Sequence, residues 1–198
     1  KSLLRYFVAG LYYSFGESAR HSKGKVIILM YHRVLTNDEI RGHFIQPGMY
    51  VLESTFENHV KFLKKNYTVM SFMDFLEILD TNELDKDQAY CVITFDDGWR
   101  DNYVNAFPIL RKYGIPATIF LTTSFVDSNR WFWPERLGYL IKNFDYSSIT
   151  DDKSNALVKA SNKFGVEAGL LIDVLKTSSH DLKLMAYDRL IESLKRFS

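Results

Sequence analysis

The chain has 198 residues, 25 basic and 24 acidic side chains and a formal charge of +1, so no bulk electrostatic pull draws it toward nucleic acid. Its length suits one ordinary domain with its own hydrophobic core. The single cysteine, Cys91, excludes an internal disulfide and a cysteine-rich zinc site.

In residues 1–16, Leu4, Phe7, Val8, Leu11 and Phe15 recur at helical spacing beside Arg5 and Ser14, and the spacing predicts an amphipathic helix within 1–22. At about 15 residues it is shorter than the roughly 20 needed to cross a bilayer. It either packs on its own domain or makes a peripheral contact with a membrane surface. The first residue is lysine, so the start is read as incomplete. The expected location is cytoplasmic or membrane-associated, with export left open.

Val26-Ile27-Ile28-Leu29-Met30 is an unbroken apolar run with β-branched residues, expected to be a strand buried on both faces and ending at Tyr31-His32-Arg33. A polar loop with Gly42, Pro47 and Gly48 runs to about Glu53. Ser54 and Glu57 then form the pattern of a capping box, opening a helix that turns Phe56, Val60 and Leu63 inward. Residues 67–70 read as a short strand, and Ser71 begins a helix through Phe72, Phe75, Leu76 and Leu79. The run 90–95 is the next strand, terminating in Asp96-Asp97-Gly98. A helix near Asn105 has Pro108 in its first turn and Gly114 as its C-terminal cap, followed by a fourth strand over 117–121. From about Asp151 onward the sequence is polar and helix-favouring, with Leu157, Ala160, Phe164, Leu182, Met185, Leu190 and Leu194 as its apolar positions.

Alternation of apolar strands with amphipathic helices predicts an α/β fold with a parallel sheet, open or curled into a barrel. Both architectures put active sites at the carboxyl ends of the strands. There stand Asp96 and Asp97, with Gly98 free to turn the backbone behind them. Two adjacent carboxylates in a partly desolvated place need a cation, hydrogen bonds or a shared proton to offset their repulsion. With a metal, one could ligate while the other takes a proton from water. The same residues also suit a plain Asp-Gly turn with a helix cap. His32 ends the first strand and so belongs to the same rim, where it could donate a proton or serve only to bond a strand-end carbonyl.

Thr94-Phe95-Asp96-Asp97-Gly98 resembles the first signature of the polysaccharide deacetylases, the NodB homology or carbohydrate esterase family 4 group. Ile28 to Val34, Asp101-Asn102-Tyr103, Asn105 to Pro108 and Tyr113 to Thr118 resemble the same group, so the likeness covers roughly 26–134. The resemblance implies a distorted (β/α) barrel, here incomplete. It divides the chain into an N-terminal helix at 1–22, a barrel portion at 23–150 and a helical insertion or extension at 151–198. It also implies hydrolysis of N-acetyl or O-acetyl groups from a polysaccharide or a lipid-linked amino sugar, with a divalent metal, zinc in the first instance. By the same resemblance Asp96 is the general base, Asp97 a metal ligand and His32, as in a permuted Met-Tyr-His subgroup, the general acid. Trp99, Trp131 and Trp133 are candidate sugar-stacking residues, with core packing as the competing role.

The family completes its metal site with two histidines three to four residues apart, and the histidines here, at 21, 32, 43, 59 and 180, include no such pair. The remaining ligands are therefore expected outside this chain, which is read as a fragment ending in an insertion after Trp131-Phe132-Trp133-Pro134-Glu135-Arg136. Two alternatives are a noncatalytic glycan-binding scaffold that lost its metal site, and a glycosidase using Asp96 with a distant carboxylate.

Overall fold

A computed structural model describes residues 22–42, 45–46, 48–81, 83–143 and 180–195. The expected helix at 1–22, apart from residue 22 itself, lies outside the described residues, as do His21, His43 and the stretch 151–179. The described residues fall into two compact units, 22–36 with 51–126 and 37–50 with 127–143 and 180–195.

The first unit is built on four parallel strands. Strand β1 (Lys25–Tyr31) runs along one edge of β5 (Ala89–Asp97), from Lys25 beside Ala89 to Tyr31 beside Phe95. The other edge of β5 is shared: β4 (Thr68–Met70) pairs with residues 90–92, and β6 (Thr118–Leu121) with residues 94–97. Between β1 and β4 come β2 (Arg33–Leu35) and β3 (Tyr50–Leu52), which pair with each other. The α/β fold with a parallel sheet is therefore present, as an open portion of sheet.

Helix α1 (Asn37–Gly42) interrupts what was expected to be loop. Helix α2 (Glu53–Asn66) buries Phe56, Val60 and Leu63 as expected, one stripe at successive turns. These join Cys91, Ile93 and Phe95 of β5 and Ile109, Leu110 and Ile115 in the main core. The capping box does not form, and Leu52 stands at the N-cap without a side-chain bond. Glu57 is drawn away because its Oε1 accepts from Lys112 Nζ at 2.8 Å and Tyr113 Oη at 2.7 Å. A working capping box occurs instead at α3 (Phe72–Thr81), where Ser71 Oγ accepts the Asp74 N–H and Asp74 Oδ2 accepts the Ser71 N–H, each at 3.1 Å. Phe72, Phe75 and Ile78 of α3 pack on Met70, Tyr90 and Val92, while Leu76 and Leu79 stay exposed.

Strand β1 is not buried on both faces: Ile28 is 46% and Met30 59% exposed, while Leu29 and Tyr31 pack on the main core. The helices packed in that core cover the Leu29 side only, so the apolar run outstrips its cover. The helix expected near Asn105 begins earlier, as a π-helical turn over Asn102–Ala106 that continues into α4 (Phe107–Tyr113). Gly114 caps α4 in the left-handed conformation, at φ 63°.

In the second unit, α5 (Trp133–Asn143) and α6 (His180–Leu194) bury Ile141, Tyr187, Leu190 and Ile191 together. Tyr187 Oη donates to the Pro134 carbonyl at 2.9 Å. Gln46, itself buried, donates to Glu192 Oε1 at 2.6 Å, which ties the 37–50 excursion to α6. Among the described residues no helix is long and apolar enough to cross a membrane.

Candidate active site

Strand β5 is buried without interruption from Ala89 to Phe95 and becomes half-buried only at Asp96 and Asp97. An apolar strand between two neighbours thus delivers the paired carboxylates to its carboxyl end. The chain there turns through two successive left-handed residues, Asp97 at φ 72° and Gly98 at φ 73°. Glycine adopts this freely, whereas an aspartate does so at a cost of about 1 kcal/mol or more. A side chain at Gly98 would also run into Leu121 Cδ2. Both Asp97 oxygens are held: Trp99 Nε1 donates to Oδ2 at 3.2 Å and Thr122 Oγ1 to Oδ1 at 3.4 Å. Thr122 stands there because the β5–β6 register sets Asp97 beside Leu121.

The last step of the β1–β5 register is Tyr31 beside Phe95, so His32 and Asp96 stand one residue beyond it on adjacent strand ends. The sequence expectation of a shared rim agrees with this register. Three side chains from the π-helical turn and its preceding residue grip the segment 32–34. Asn102 Nδ2 donates to the His32 carbonyl at 2.8 Å, Asp101 Oδ1 accepts the Val34 N–H at 2.9 Å, and Asn105 Nδ2 donates to the Val34 carbonyl at 2.8 Å. Arg33 Nε donates to Asp101 Oδ2 at 3.0 Å while its guanidinium lies 4.3 Å over the Trp99 ring. A continuous set of contacts therefore runs from Asp97 through Trp99 and Arg33 to Asp101.

Burial raises the Asp101 carboxyl above the usual carboxylate range, against the opposing charge of Arg33 and the Val34 N–H. Beneath the rim, burial pushes the Tyr31 hydroxyl up to about 12 and its hydrogen-bonded neighbour His59, 3.1 Å away, down. Cys91 lies fully buried in the same core, its thiol pushed by burial up to about 11, so it offers no nucleophile.

Among the described residues no three His, Cys, Asp or Glu side chains come together to hold a metal. Asp97 and His32 number fewer than the three protein ligands a tight site takes, so the described residues do not make a metal site by themselves.

Of the expected site residues, Asp96, Asp97, His32 and Trp99 lie in the first unit, and Trp131 and Trp133 in the second. Trp99 gives one ring face to Arg33 and its N–H to Asp97, a positioning role that the sugar-stacking expectation did not include. Trp131 meets Tyr139 edge-on at 5.2 Å, and both Trp131 and Trp133 stay exposed, at 54% and 43%. Sequence reasoning assigned no role to Arg33, Asp101, Asn102 or Asn105. The available signal was three amide and acid side chains at the start of an apolar helix, where polar groups have nothing local to cap.

Residues 83–172 match the family model of polysaccharide deacetylases. The chain is 36% identical over 98 residues to YxkH of Bacillus subtilis, a protein whose name assigns it provisionally to the polysaccharide deacetylases. It is 29% identical over 124 residues to the poly-beta-1,6-N-acetyl-D-glucosamine N-deacetylase of Staphylococcus epidermidis. The alignments take in 49% and 58% of this chain, and the chain spans 32% and 42% of the length of those relatives. Among solved structures, a de-N-acetylase from Aggregatibacter actinomycetemcomitans matches at TM-score 0.43 and 24% identity, over 52% of this chain and 39% of that one. The Streptococcus pyogenes deacetylase PplD in complex with acetate matches at TM-score 0.44 and 20% identity, over 85% and 81%. Over 83–172, and in the aspartate pair at the end of β5, the chain is similar to the polysaccharide deacetylase family.

Proposed function

We propose that the protein hydrolyses acetyl groups from an acetylated amino-sugar polysaccharide, or from its lipid-linked precursor, and releases acetate. The observation that carries this reading is the pair Asp96-Asp97 at the end of β5 with His32 at the end of the adjoining β1. Asp96, whose neighbour Asp97 is held by Trp99 and Thr122, is the group free to take a proton from water attacking the acetyl carbonyl. The C–N bond then breaks, and His32 gives a proton to the departing sugar amine. A divalent metal, zinc in the first instance, belongs to this reading, with Asp97 as one ligand and the others outside the described residues. Trp131 and Trp133, exposed aromatic rings, are the sugar-stacking candidates. The named activity of the Staphylococcus epidermidis relative supports a β-1,6-linked N-acetylglucosamine polymer as the first substrate to try.

The test is release of acetate and free amine from β-1,6-linked N-acetylglucosamine oligomers by the full-length protein and by Asp96→Asn. Release that depends on Asp96 supports the reading. Oligomer binding with no release from the wild type supports a glycan-binding scaffold instead.

A further inference from the structure

We propose that Asn102 is a positioning residue for His32, an inference that rests on His32 acting as the proton donor of the proposed reaction. His32 itself lies past the end of β1, outside the sheet ladder that fixes Tyr31 beside Phe95. Its backbone is held instead by the Asn102 amide, through the 2.8 Å bond from Nδ2 to the His32 carbonyl.

Asn102 is only 2% exposed, and its Oδ1 is a buried acceptor with no hydrogen-bond partner. Leaving a buried amide oxygen unsatisfied costs about 1–3 kcal/mol. The side chain's hydrogen bond runs from Nδ2 to the His32 carbonyl, so its donor serves that one strand-end residue. It also opens a π-helical turn over Asn102–Ala106, a rare conformation that occurs mostly as single turns within helices and frequently at functional sites. The wider turn lets Asp101, Asn102 and Asn105 reach one short segment of backbone together, at His32 and Val34. Asp101 and Asn105 fix Val34, which is fully buried, and so anchor the segment to the core. Asn102 fixes the residue that faces the chemistry. Positioning matters at this level because a misplacement of about 1 Å in a reacting group can cost on the order of 100-fold in rate.

The test is a double-mutant cycle in the full-length protein with Asn102→Leu and His32→Ala, measuring acetate release from N-acetylglucosamine oligomers. Leucine keeps the volume and removes both the orphaned acceptor and the donor; Asn102→Ser, which is smaller, serves where leucine does not fold. If Asn102 acts through His32, Asn102→Leu lowers kcat roughly 10- to 100-fold with KM little changed, and lowers it no further in the His32→Ala background. An activated aryl acetate, whose leaving group needs no proton, loses far less than the amide substrate. A full additional loss on top of His32→Ala, or equal losses on amide and aryl ester, overturns the positioning role. If His32→Ala itself falls equally on both substrates, the assignment of His32 as proton donor fails, which is a distinct result.

Discussion

Trp99 donates its indole N–H to Asp97 Oδ2 at 3.2 Å, so the side chain two residues beyond the aspartate fixes which way the carboxylate points. Asp97 is in the left-handed region at φ 72°, a backbone state that costs a non-glycine residue about 1 kcal/mol or more and that the surrounding contacts must hold. Trp99→Phe keeps a ring under Arg33 but removes the donor. The expected outcome is a stability loss of about 1 kcal/mol by denaturant unfolding, and a fall in acetate release several times larger than that loss of fold explains.

Gly98→Ala introduces a side chain at φ 73° that meets Leu121 Cδ2. The leucine end can move, so the backbone conformation carries most of the penalty. A destabilisation of about 1–2 kcal/mol is expected in urea unfolding, with the strand-end turn reset and activity lost. Equal stability and activity in the alanine variant would mean that the turn is not held as described.

Arg33 is the counter-charge to Asp101, which is 5% exposed. Arg33→Met leaves that carboxylate buried without its cation, at a cost of about 3 kcal/mol. Because burial already raises the Asp101 carboxyl, the variant should recover part of its stability as pH falls and Asp101 takes up a proton. Thermal unfolding across pH 4–8 checks this; a uniform loss across that range would contradict it.

Glu57 is held far below its ordinary value of 4.5, at about 2, by hydrogen bonds from Lys112 and Tyr113. A depressed carboxyl contributes stability that is present above its unfolded value and is lost as pH falls toward about 2. Glu57→Gln should therefore flatten the acid limb of the stability curve between about pH 2 and 5 and leave its slope near neutrality unchanged. In Lys112→Met the Glu57 titration, followed by NMR, should return toward the ordinary range.

How far the sequence discloses this molecule depends on the range of each interaction. Parallel strands separated by helices are legible because apolar runs and helical stripes, such as Phe56, Val60 and Leu63, are local patterns. The Asp-Asp-Gly strand end is legible for the same reason. The capping box at Ser54 is not, since Glu57 is taken by Lys112 and Tyr113, more than 50 residues along the chain. The exposure of Ile28 and Met30 depends on which face the helices cover, a matter of topology that composition does not carry. Within the site, Asp96, Asp97 and His32 are visible as chemistry at strand ends, whereas Arg33, Asp101, Asn102 and Asn105 act through contacts across about 70 residues. The π-helical turn that gathers them has no sequence pattern of its own.

The most direct test of the central claim is acetate release from β-1,6-linked N-acetylglucosamine oligomers by the full-length protein, comparing wild type with Asp96→Asn. Asparagine keeps the shape of the side chain and removes its capacity to take a proton. A general base contributes about 10²- to 10⁴-fold. The account predicts acetate release by the wild type and a loss of that size in the variant, with the fold intact by circular dichroism. Acetate release undiminished in Asp96→Asn would contradict it.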